Sequence, residues 1–249
     1  MSHHYIEFKD VTYRYANGFE ALKGVSFRIG HGEKVALLGR NGAGKSTLLL
    51  HTNGLLLPTS GTVDVGGVPA TKKTLSVIRQ SVGLVFQNPD DQLFMPTVEE
   101  DVAFGPLNMR LPEEEVAARV AEALERVECT HLAKNSPGQL SGGQKRRVAI
   151  AGVLAMQPSI LVLDEPTSNL DWGAREKLAK LVEGFMHTCI IASHDLGLIR
   201  KLCPRTIVLD DGRVIADRPT SEVFKDEKLL ETLGINPDDL SSLCMCTAG

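Results

Sequence analysis

A glycine-rich segment, GRNGAGKST at residues 39–47, is the feature that most limits how this chain can fold. It follows the apolar run KVALLG, which is typical of a strand buried on both faces of a parallel sheet. It continues into STLLLHTNG, which favours a helix. A strand, a loop of the pattern G-x-x-x-x-G-K-[ST] and a helix in that order predict a phosphate-binding loop. A chance glycine-rich turn is the alternative.

The loop predicts specific contacts to a nucleotide. Backbone N–H groups from Asn41 to Ser46 would surround the α- and β-phosphates. Lys45 would reach the β- and γ-phosphates, and the Ser46 hydroxyl would bind Mg²⁺. The predicted phosphate-binding residues are Gly39, Asn41, Gly42, Ala43, Gly44, Lys45, Ser46 and Thr47.

In the segment ILVLDEP, two acidic residues follow another apolar run, ILVL. Mg²⁺ requires hard oxygen ligands, and Asp164 lies where this strand is expected to end. Adjacent residues of a strand point in opposite directions, so Asp164 and Glu165 should have different roles. We expect Asp164 to hold the Mg²⁺ shell through water and Glu165 to polarise the attacking water as a general base. On its own, such a pair is also typical of a helix cap.

A second candidate anion site, LSGGQKRR, begins at Leu140. A hydroxyl and two glycines before a helix-like run place unpaired N–H groups and the positive end of a helix dipole at one point. The segment has no metal ligand and no phosphate-binding lysine of its own, so it is half of a site. A plain N-cap formed by Ser141 is the alternative.

The apolar runs predict the fold class. Runs at 82–86, 160–164, 189–193 and 206–210 resemble KVALLG, and helical patterns lie between most of them, which indicates an α/β core. In residues 5–29, apolar and polar side chains alternate on both sides of a turn at Asn17-Gly18, which predicts two antiparallel strands. Residues 87–139 have no strong strand pattern and predict two helices, the second from Pro112, in an inserted subdomain. We divide the chain into 1–86, 87–157, 158–218 and a helical tail at 219–249.

Composition excludes some classes of function. The net charge is −4 and there is no long basic run, so no nucleic-acid partner is expected. No apolar run approaches the roughly 18 to 20 residues of a membrane span, so a membrane role would need a partner. The five cysteines are scattered and indicate reduced thiols in a cytoplasmic protein. Cys244 and Cys246 predict a solvated tail, with a contribution to a metal site as the alternative.

Together these motifs resemble the ATP-binding cassette (ABC) ATPases over residues 5–224. The family's motifs occur here in order: Tyr15, the phosphate loop, Gln87 after VGLVF, the signature Leu140–Gln144, Asp164 with Glu165, SNLD at 168–171, and His194. The resemblance implies a P-loop NTPase core with an N-terminal antiparallel β-subdomain and an inserted α-helical signature subdomain. It also implies that the chain binds ATP and Mg²⁺ and hydrolyses ATP.

The resemblance implies roles for three further residues. Tyr15 would stack on adenine, although Tyr13, on the same face of the strand, is a competing candidate. Gln87 would join the Mg²⁺ and water shell and sense the transporter. His194 would contact the γ-phosphate; satisfying backbone groups at a strand-to-helix turn is the alternative. Glu165, His194, Gln87 and Lys45 are thus the expected catalytic residues, and Ser46, Gln87 and Asp164 the expected metal site.

In this family two cassettes dimerise head to tail, with a second copy or a related ATPase as partner. The signature of one chain would then close over the γ-phosphate held by the Lys45 of the other chain, and two half-sites on each chain suit a closed two-fold dimer. Asp171 would lie near that interface. The signature residues expected to bind nucleotide are Ser141, Gly142, Gly143 and Gln144.

The stretch 82–109 resembles the ATPases of energy-coupling-factor importers, peripheral proteins on the cytoplasmic face of the cell membrane. The resemblance implies a transmembrane coupling subunit and a substrate-binding membrane subunit, with docking near Asp90, Asp91 and Phe94; a solvated acidic turn is the alternative. Cobalt ions are the expected cargo. The alternatives are a nickel or vitamin importer, an exporter, or a soluble cassette outside transport.

Overall fold

A computed structural model of the chain describes residues 5–168 and 170–236. Two sheets, one of four and one of six strands, and a set of helices make up this part of the protein. No helix in the described ranges is long and apolar enough to cross a membrane. Cys244 and Cys246 lie outside the described residues.

The smaller sheet is antiparallel and contains both strands predicted at the N-terminus. Strands β1 (Ile6–Arg14) and β2 (Glu20–Ile29) meet at the expected turn, where the Gly18 N–H donates to the Tyr15 carbonyl at 2.9 Å. Two further strands, β4 (Ser60–Val65) and β5 (Val68–Pro69), complete the order β2-β1-β4-β5. The sequence analysis missed this second pair, because three glycines interrupt SGTVDVGG and only Val63 and Val65 of β4 are buried.

The larger sheet contains every predicted parallel strand. Its members are β3 (Lys34–Leu38), β6 (Val82–Val85), β7 (Ile160–Asp164), β8 (Thr188–Ala192), β9 (Arg205–Asp210) and β10 (Arg213–Pro219). Their order is β10-β9-β3-β8-β7-β6, and all neighbours are parallel except β10, which pairs antiparallel to β9. The carboxyl ends of β3, β7 and β8 therefore meet at one edge, where ligands of open α/β sheets bind.

The helices follow the predicted pattern. They are α1 (Lys45–Thr52), α2 (Leu75–Ser81), α3 (Val98–Asn108), α4 (Glu113–Arg126), α5 (Gly142–Leu154), α6 (Trp172–Glu183), α7 (Leu196–Leu202), α8 (Thr220–Val223) and α9 (Glu227–Leu233). The two helices expected between residues 87 and 139 are α3 and α4. Pro112 directly precedes α4 and supplies its N-cap position. The proposed domain boundaries stay a prediction.

Alternate residues of the larger sheet pack into two different cores. On one face Leu161 and Leu163 join a core that contains residues of α3 to α7. On the other face Ile160 and Val162 join a core with Leu48 of α1 and with the smaller sheet. The larger sheet is thus covered on both sides, which explains why its strands are continuously apolar.

Candidate active site

A cavity of about 510 Å³ opens at the edge of the larger sheet where the predicted phosphate loop lies. It brings together the phosphate loop, Gln87, both acidic residues and His194, although these groups are far apart in the sequence. The cavity is lined by Phe19, Ala21, Asn41, Gly42, Gly44, Lys45, Ser46, Thr47, Gln87, Asp164, Glu165, Ser168 and His194.

The loop conformation depends on glycine at two positions. Gly42 and Gly44 have φ of 82° and 103°, a region that other residues adopt only with strain. Gly44 is the N-cap residue of α1, so the helix begins at Lys45 with its first N–H groups directed towards the cavity. One member of the predicted set differs: the Ala43 N–H donates to the Arg40 carbonyl at 3.1 Å, inside the loop itself.

Lys45 folds back over its own loop. Its Nζ donates to the carbonyls of Gly39, at 2.6 Å, and Arg40, at 3.1 Å. Burial lowers the pKa of Lys45, and the nearby carboxylates of Glu165 and Asp164 oppose that shift. A buried ammonium held only by neutral carbonyls is well suited to bind a phosphate oxygen, which would supply a full opposing charge.

Asp164 and Ser46 are neighbours in the lining of the cavity. Burial raises the pKa of the Asp164 carboxyl, while the hydrogen bond from the Ser46 hydroxyl and the charge of Lys45 partly offset this. No cluster of three acidic, histidine or cysteine side chains that could hold a metal occurs in the described ranges. Mg²⁺ does not require one, because it is bound through one or two carboxylates together with phosphates and water. A hydroxyl and a carboxylate beside a phosphate loop fit that chemistry.

Glu165 has a backbone conformation that is uncommon for a residue other than glycine. Its φ of 47° turns the chain away from β7, while its N–H still donates to the Ala192 carbonyl of β8 at 2.8 Å. Glu165 therefore differs in direction from Asp164 because of a sharp turn rather than strand alternation alone. Burial raises the pKa of its carboxyl, with the neighbouring His194 acting in the opposite sense.

His194 lies directly against Glu165. Its backbone N–H donates to Glu165 Oε2 at 3.2 Å. Its ring Nε2 lies 3.4 Å from Glu165 Oε1, and that oxygen has no hydrogen-bond partner. The imidazole remains 56% exposed on the cavity side. The backbone N–H of His194 is thus used by Glu165, whereas the exposed ring is available to a ligand. The catalytic role of the ring stays a prediction.

The aromatic residues are arranged differently from a simple stacking platform. The Tyr15 hydroxyl bonds the Thr47 hydroxyl at 2.9 Å, and the Tyr13 ring packs edge-on against Tyr15 at 4.9 Å and against His51. Phe19, which is 57% exposed, lines the cavity, whereas Tyr13 and Tyr15 are not among its lining residues. The sequence analysis missed Phe19, because a single aromatic after a turn matches no motif.

The signature segment lies outside this cavity. Ser141 is exposed and caps α5: its hydroxyl accepts from the Gln144 N–H at 3.3 Å, and Gln144 Oε1 accepts from the Ser141 N–H at 2.8 Å. The expected N-cap is thus present, and the Gln144 side chain takes part in it. None of Ser141, Gly142, Gly143 or Gln144 lines the cavity of the same chain.

Comparisons with known proteins agree with these features. The ABC transporter family matches residues 22–168. The chain is 59% identical over 232 residues to a Geobacter sulfurreducens protein that has the provisional name ABC transporter ATP-binding protein, and the match covers 93% of each. It is 50% identical over 232 residues to the energy-coupling factor transporter ATP-binding protein EcfA of Methanothermobacter thermautotrophicus, covering 90% of this chain and 74% of the relative.

Two solved structures are similar along most of the chain. One is cbiO1 from Clostridium perfringens, described as part of the ABC transporter complex cbiONQ: the TM-score is 0.79 and the identity 40%, over 96% of this chain and 98% of that one. The other is the ATP-binding cassette MJ0796, in a dimeric post-hydrolysis state bound to ADP and Pi. Its TM-score is 0.79 and its identity 34%, over 86% of this chain and 98% of that one.

Proposed function

Because the chain belongs to the ABC transporter family and is an ATP-hydrolysing cassette, we propose that it powers an energy-coupling-factor importer as a head-to-tail dimer. The observation that supports the dimer most directly is the separation of the two half-sites. Lys45, Asp164 and Glu165 share one cavity, whereas Ser141 is exposed elsewhere on the same chain. A second copy, or a related cassette, would supply the missing signature to each cavity.

The charged and polar residues of the cavity have separate proposed roles in hydrolysis. Lys45 exchanges the Gly39 and Arg40 carbonyls for the β- and γ-phosphates of ATP. Ser46 and Asp164 would hold Mg²⁺, which would supply charge stabilisation to the phosphates. Glu165 polarises the attacking water as a general base. A raised pKa suits this base, because a general base works best when its pKa lies near the pH at which the enzyme operates.

His194 and Gln87 complete the site. The backbone N–H of His194 donates to Glu165 Oε2 and so orients the base, while the His194 ring is presented to the γ-phosphate. Gln87 lines the main cavity and also a second cavity of about 230 Å³, which reaches Asn88 and Asp91 at the protein surface. Its side chain is therefore placed to respond both to nucleotide and to a partner bound near Asp91. Adenine stacking by Tyr15 is proposed because its hydroxyl bonds Thr47 of the phosphate loop, and Phe19, which lines the cavity, would add a further aromatic wall.

The docking surface for the coupling subunit is proposed near Asp91 and Phe94. Phe94, Phe104 and Leu107 are all exposed, and the Phe94 and Phe104 rings meet edge-on at 4.9 Å. Asp91 is exposed beside them, whereas Asp90 is paired with Lys145 at 2.6 Å. Exposed aromatic groups with an adjacent acid suit a helix that presents apolar residues and an arginine. Such docking would place the chain peripherally, on the cytoplasmic face of the cell membrane.

Cobalt ions are the proposed cargo, because the intact set of ATPase residues resembles the metal-ion type of energy-coupling-factor ATPase; the similarity to cbiO1, part of the cbiONQ complex, supports that type. Nickel and vitamins are the second candidates, since EcfA, the other named relative, is described only as an energy-coupling factor transporter protein. The cargo would be selected by a separate substrate-binding membrane subunit. Purifying the complex from membranes and measuring uptake of labelled Co²⁺ and Ni²⁺ into vesicles that contain it distinguishes these candidates.

The docking proposal is tested by charge reversal at Asp91. Asp91→Lys should reduce recovery of the ATPase with its membrane partners at low salt, and moderate salt should restore part of it by screening the repulsion, while ATP affinity stays within about twofold. Glu231→Lys makes the same charge change on the C-terminal helix α9 and is the matched control. Asp90→Asn removes only the pair with Lys145. Undiminished recovery of Asp91→Lys with membrane partners would place docking elsewhere.

A further inference from the structure

A buried arginine joins the signature helix to the segment that contains Gln87. Arg146 is only 3% exposed, although it lies about one turn from the exposed start of α5. Its Nη1 donates to the Phe86 carbonyl at 2.7 Å, and its Nη2 donates to the Gln87 carbonyl. No carboxylate of the described chain lies within salt-bridge distance of it, so two neutral carbonyls are its direct partners.

Burying an arginine in this way is costly unless its donors are satisfied. Burial lowers the pKa of Arg146, and the charges of Asp164 and Glu165 favour its protonated form. The planar fork of the Arg146 guanidinium donates from two different nitrogens, one to each of two consecutive carbonyls. This geometry holds the two carbonyls in a fixed position relative to α5.

Two weaker contacts connect the same elements. Lys145 pairs with Asp90 at 2.6 Å. Gln92 donates from Nε2 to the Ala149 carbonyl of α5 at 2.7 Å, and its Oε1 accepts from the Phe86 N–H at 3.3 Å. Residues 86–92 are thus fixed to the side of α5 at three points, of which Arg146 is the buried one.

We propose that Arg146 is a positioning residue that makes the signature and Gln87 move as one unit. This inference rests on the proposed head-to-tail dimer. In that dimer Ser141 contacts the nucleotide bound by the partner, while Gln87 lines the cavity of its own chain. Closure of a signature over one ATP therefore sets the position of Gln87 at the other ATP, and Arg146 links the two sites.

Arg147 provides a matched control. It is the next residue of the same helix, and its Nη1 also donates to two consecutive carbonyls, those of Val127 at 3.0 Å and Glu128 at 3.4 Å. Those carbonyls follow α4, so Arg147 connects two helices within the inserted subdomain and does not contact residues 86–92. Arg146→Met and Arg147→Met remove the same guanidinium group from neighbouring positions of one helix, but only the first breaks the link to the Gln87 carbonyl.

The test compares both variants in a Glu165→Gln background, in which ATP should hold the dimer closed. Hydrogen exchange of peptides covering 86–92 and 141–147 is measured with and without MgATP, beside dimer fraction by light scattering. Arg146→Met should still form the dimer and protect the signature peptide, but lose the ATP-dependent protection of 86–92. Arg147→Met should keep both. With Glu165 intact, Arg146→Met should lower kcat about tenfold with ATP affinity within about twofold, and Arg146→Lys should recover part of kcat.

The outcomes separate the two levels of the argument. Protection of 86–92 in Arg146→Met equal to that of its parent, in a dimer that has formed, overturns the role of Arg146 and leaves the proposed function intact. Equal loss of that protection in Arg147→Met also overturns it, since the effect would then be general destabilisation. A parent protein that gives neither dimer nor signature protection with MgATP overturns the head-to-tail dimer, and this inference with it.

Discussion

Substituting alanine for Gly44 should disrupt the phosphate loop more than the same change at Gly42. Both glycines have positive φ, 103° and 82°, so both substitutions force an L-residue into a strained conformation. The space around them differs. A Cβ at Gly44 would lie 2.6 Å from the Ala21 carbonyl oxygen and 3.2 Å from Leu22 Cδ2, whereas a Cβ at Gly42 would meet no atom within 4 Å.

The difference between the two variants can be estimated from these distances. Cβ contacts below 3.0 Å are essentially not observed, so Gly44→Ala requires the loop or strand β2 to move by at least 0.4 Å, the difference between 3.0 and 2.6 Å. Positive φ costs an L-residue roughly 1–2 kcal/mol at either position. Overpacking adds roughly 1–3 kcal/mol at Gly44 alone. The entropy that alanine removes from the unfolded chain is the same for both and cancels.

Urea unfolding of the two variants measures this difference. For a slope of about 3 kcal/mol/M, the midpoint of Gly44→Ala should lie roughly 0.3–1 M below that of Gly42→Ala. ATP binding should weaken in the same order, because movement of Gly44 displaces the first N–H groups of α1. Equal midpoints, or a lower midpoint for Gly42→Ala, would refute the argument that contact with β2 rather than backbone conformation sets the loop's tolerance.

Two further predictions concern Glu165. Glu165→Gln should lower ATP turnover by about 10²–10⁴-fold, because it removes the general base. ATP binding and the MgATP-dependent dimer should persist. Turnover near wild type in a coupled phosphate-release assay would exclude Glu165 as the base. Burial raises the pKa of Glu165 above the ordinary 4.5, and the base must be deprotonated to act. The rise of kcat/KM with pH should therefore have its midpoint above 4.5, and a midpoint at or below that value would contradict the assignment.

The sequence predicted the elements whose chemistry demands a fixed local pattern. The phosphate loop needs glycine, lysine and serine at set spacings between a strand and a helix, so β3, the loop and α1 were all expected. Asp164 was expected because a carboxylate ends an apolar strand. Strands β4 and β5 were missed, because glycines interrupt their pattern, β4 pairs with β1 about fifty positions away, and β5 pairs only with β4.

Arg146 shows why tertiary roles escaped the sequence analysis. Lys145, Arg146 and Arg147 are three adjacent cations, and nothing in their order distinguishes the buried one. Successive helix residues point about 100° apart, so the rotation of α5 against β6 decides which cation meets the Phe86 and Gln87 carbonyls. That rotation is set by the apolar packing of the whole helix. The exposed position of Phe19 is likewise a property of the assembled cavity.

The claim that Ser141 completes the site of a partner is tested most directly by mixing two inactive variants. Lys45→Ala removes the phosphate-binding lysine, and Ser141→Arg blocks the signature, so every site in either homodimer has one defective half. In a mixed dimer one site combines both defective halves, while the other joins an intact phosphate loop to an intact signature.

ATPase activity of the equimolar mixture is the decisive measurement, with dimer formation followed on the same samples by light scattering. Random pairing makes about half of the dimers mixed, and each has one good site of two, so activity should return to at most about a quarter of wild type. Each variant alone should stay inactive. Activity that returns only in the mixture is the result we predict. A mixture that forms dimers with ATP yet stays inactive and does not retain nucleotide would contradict the composite site.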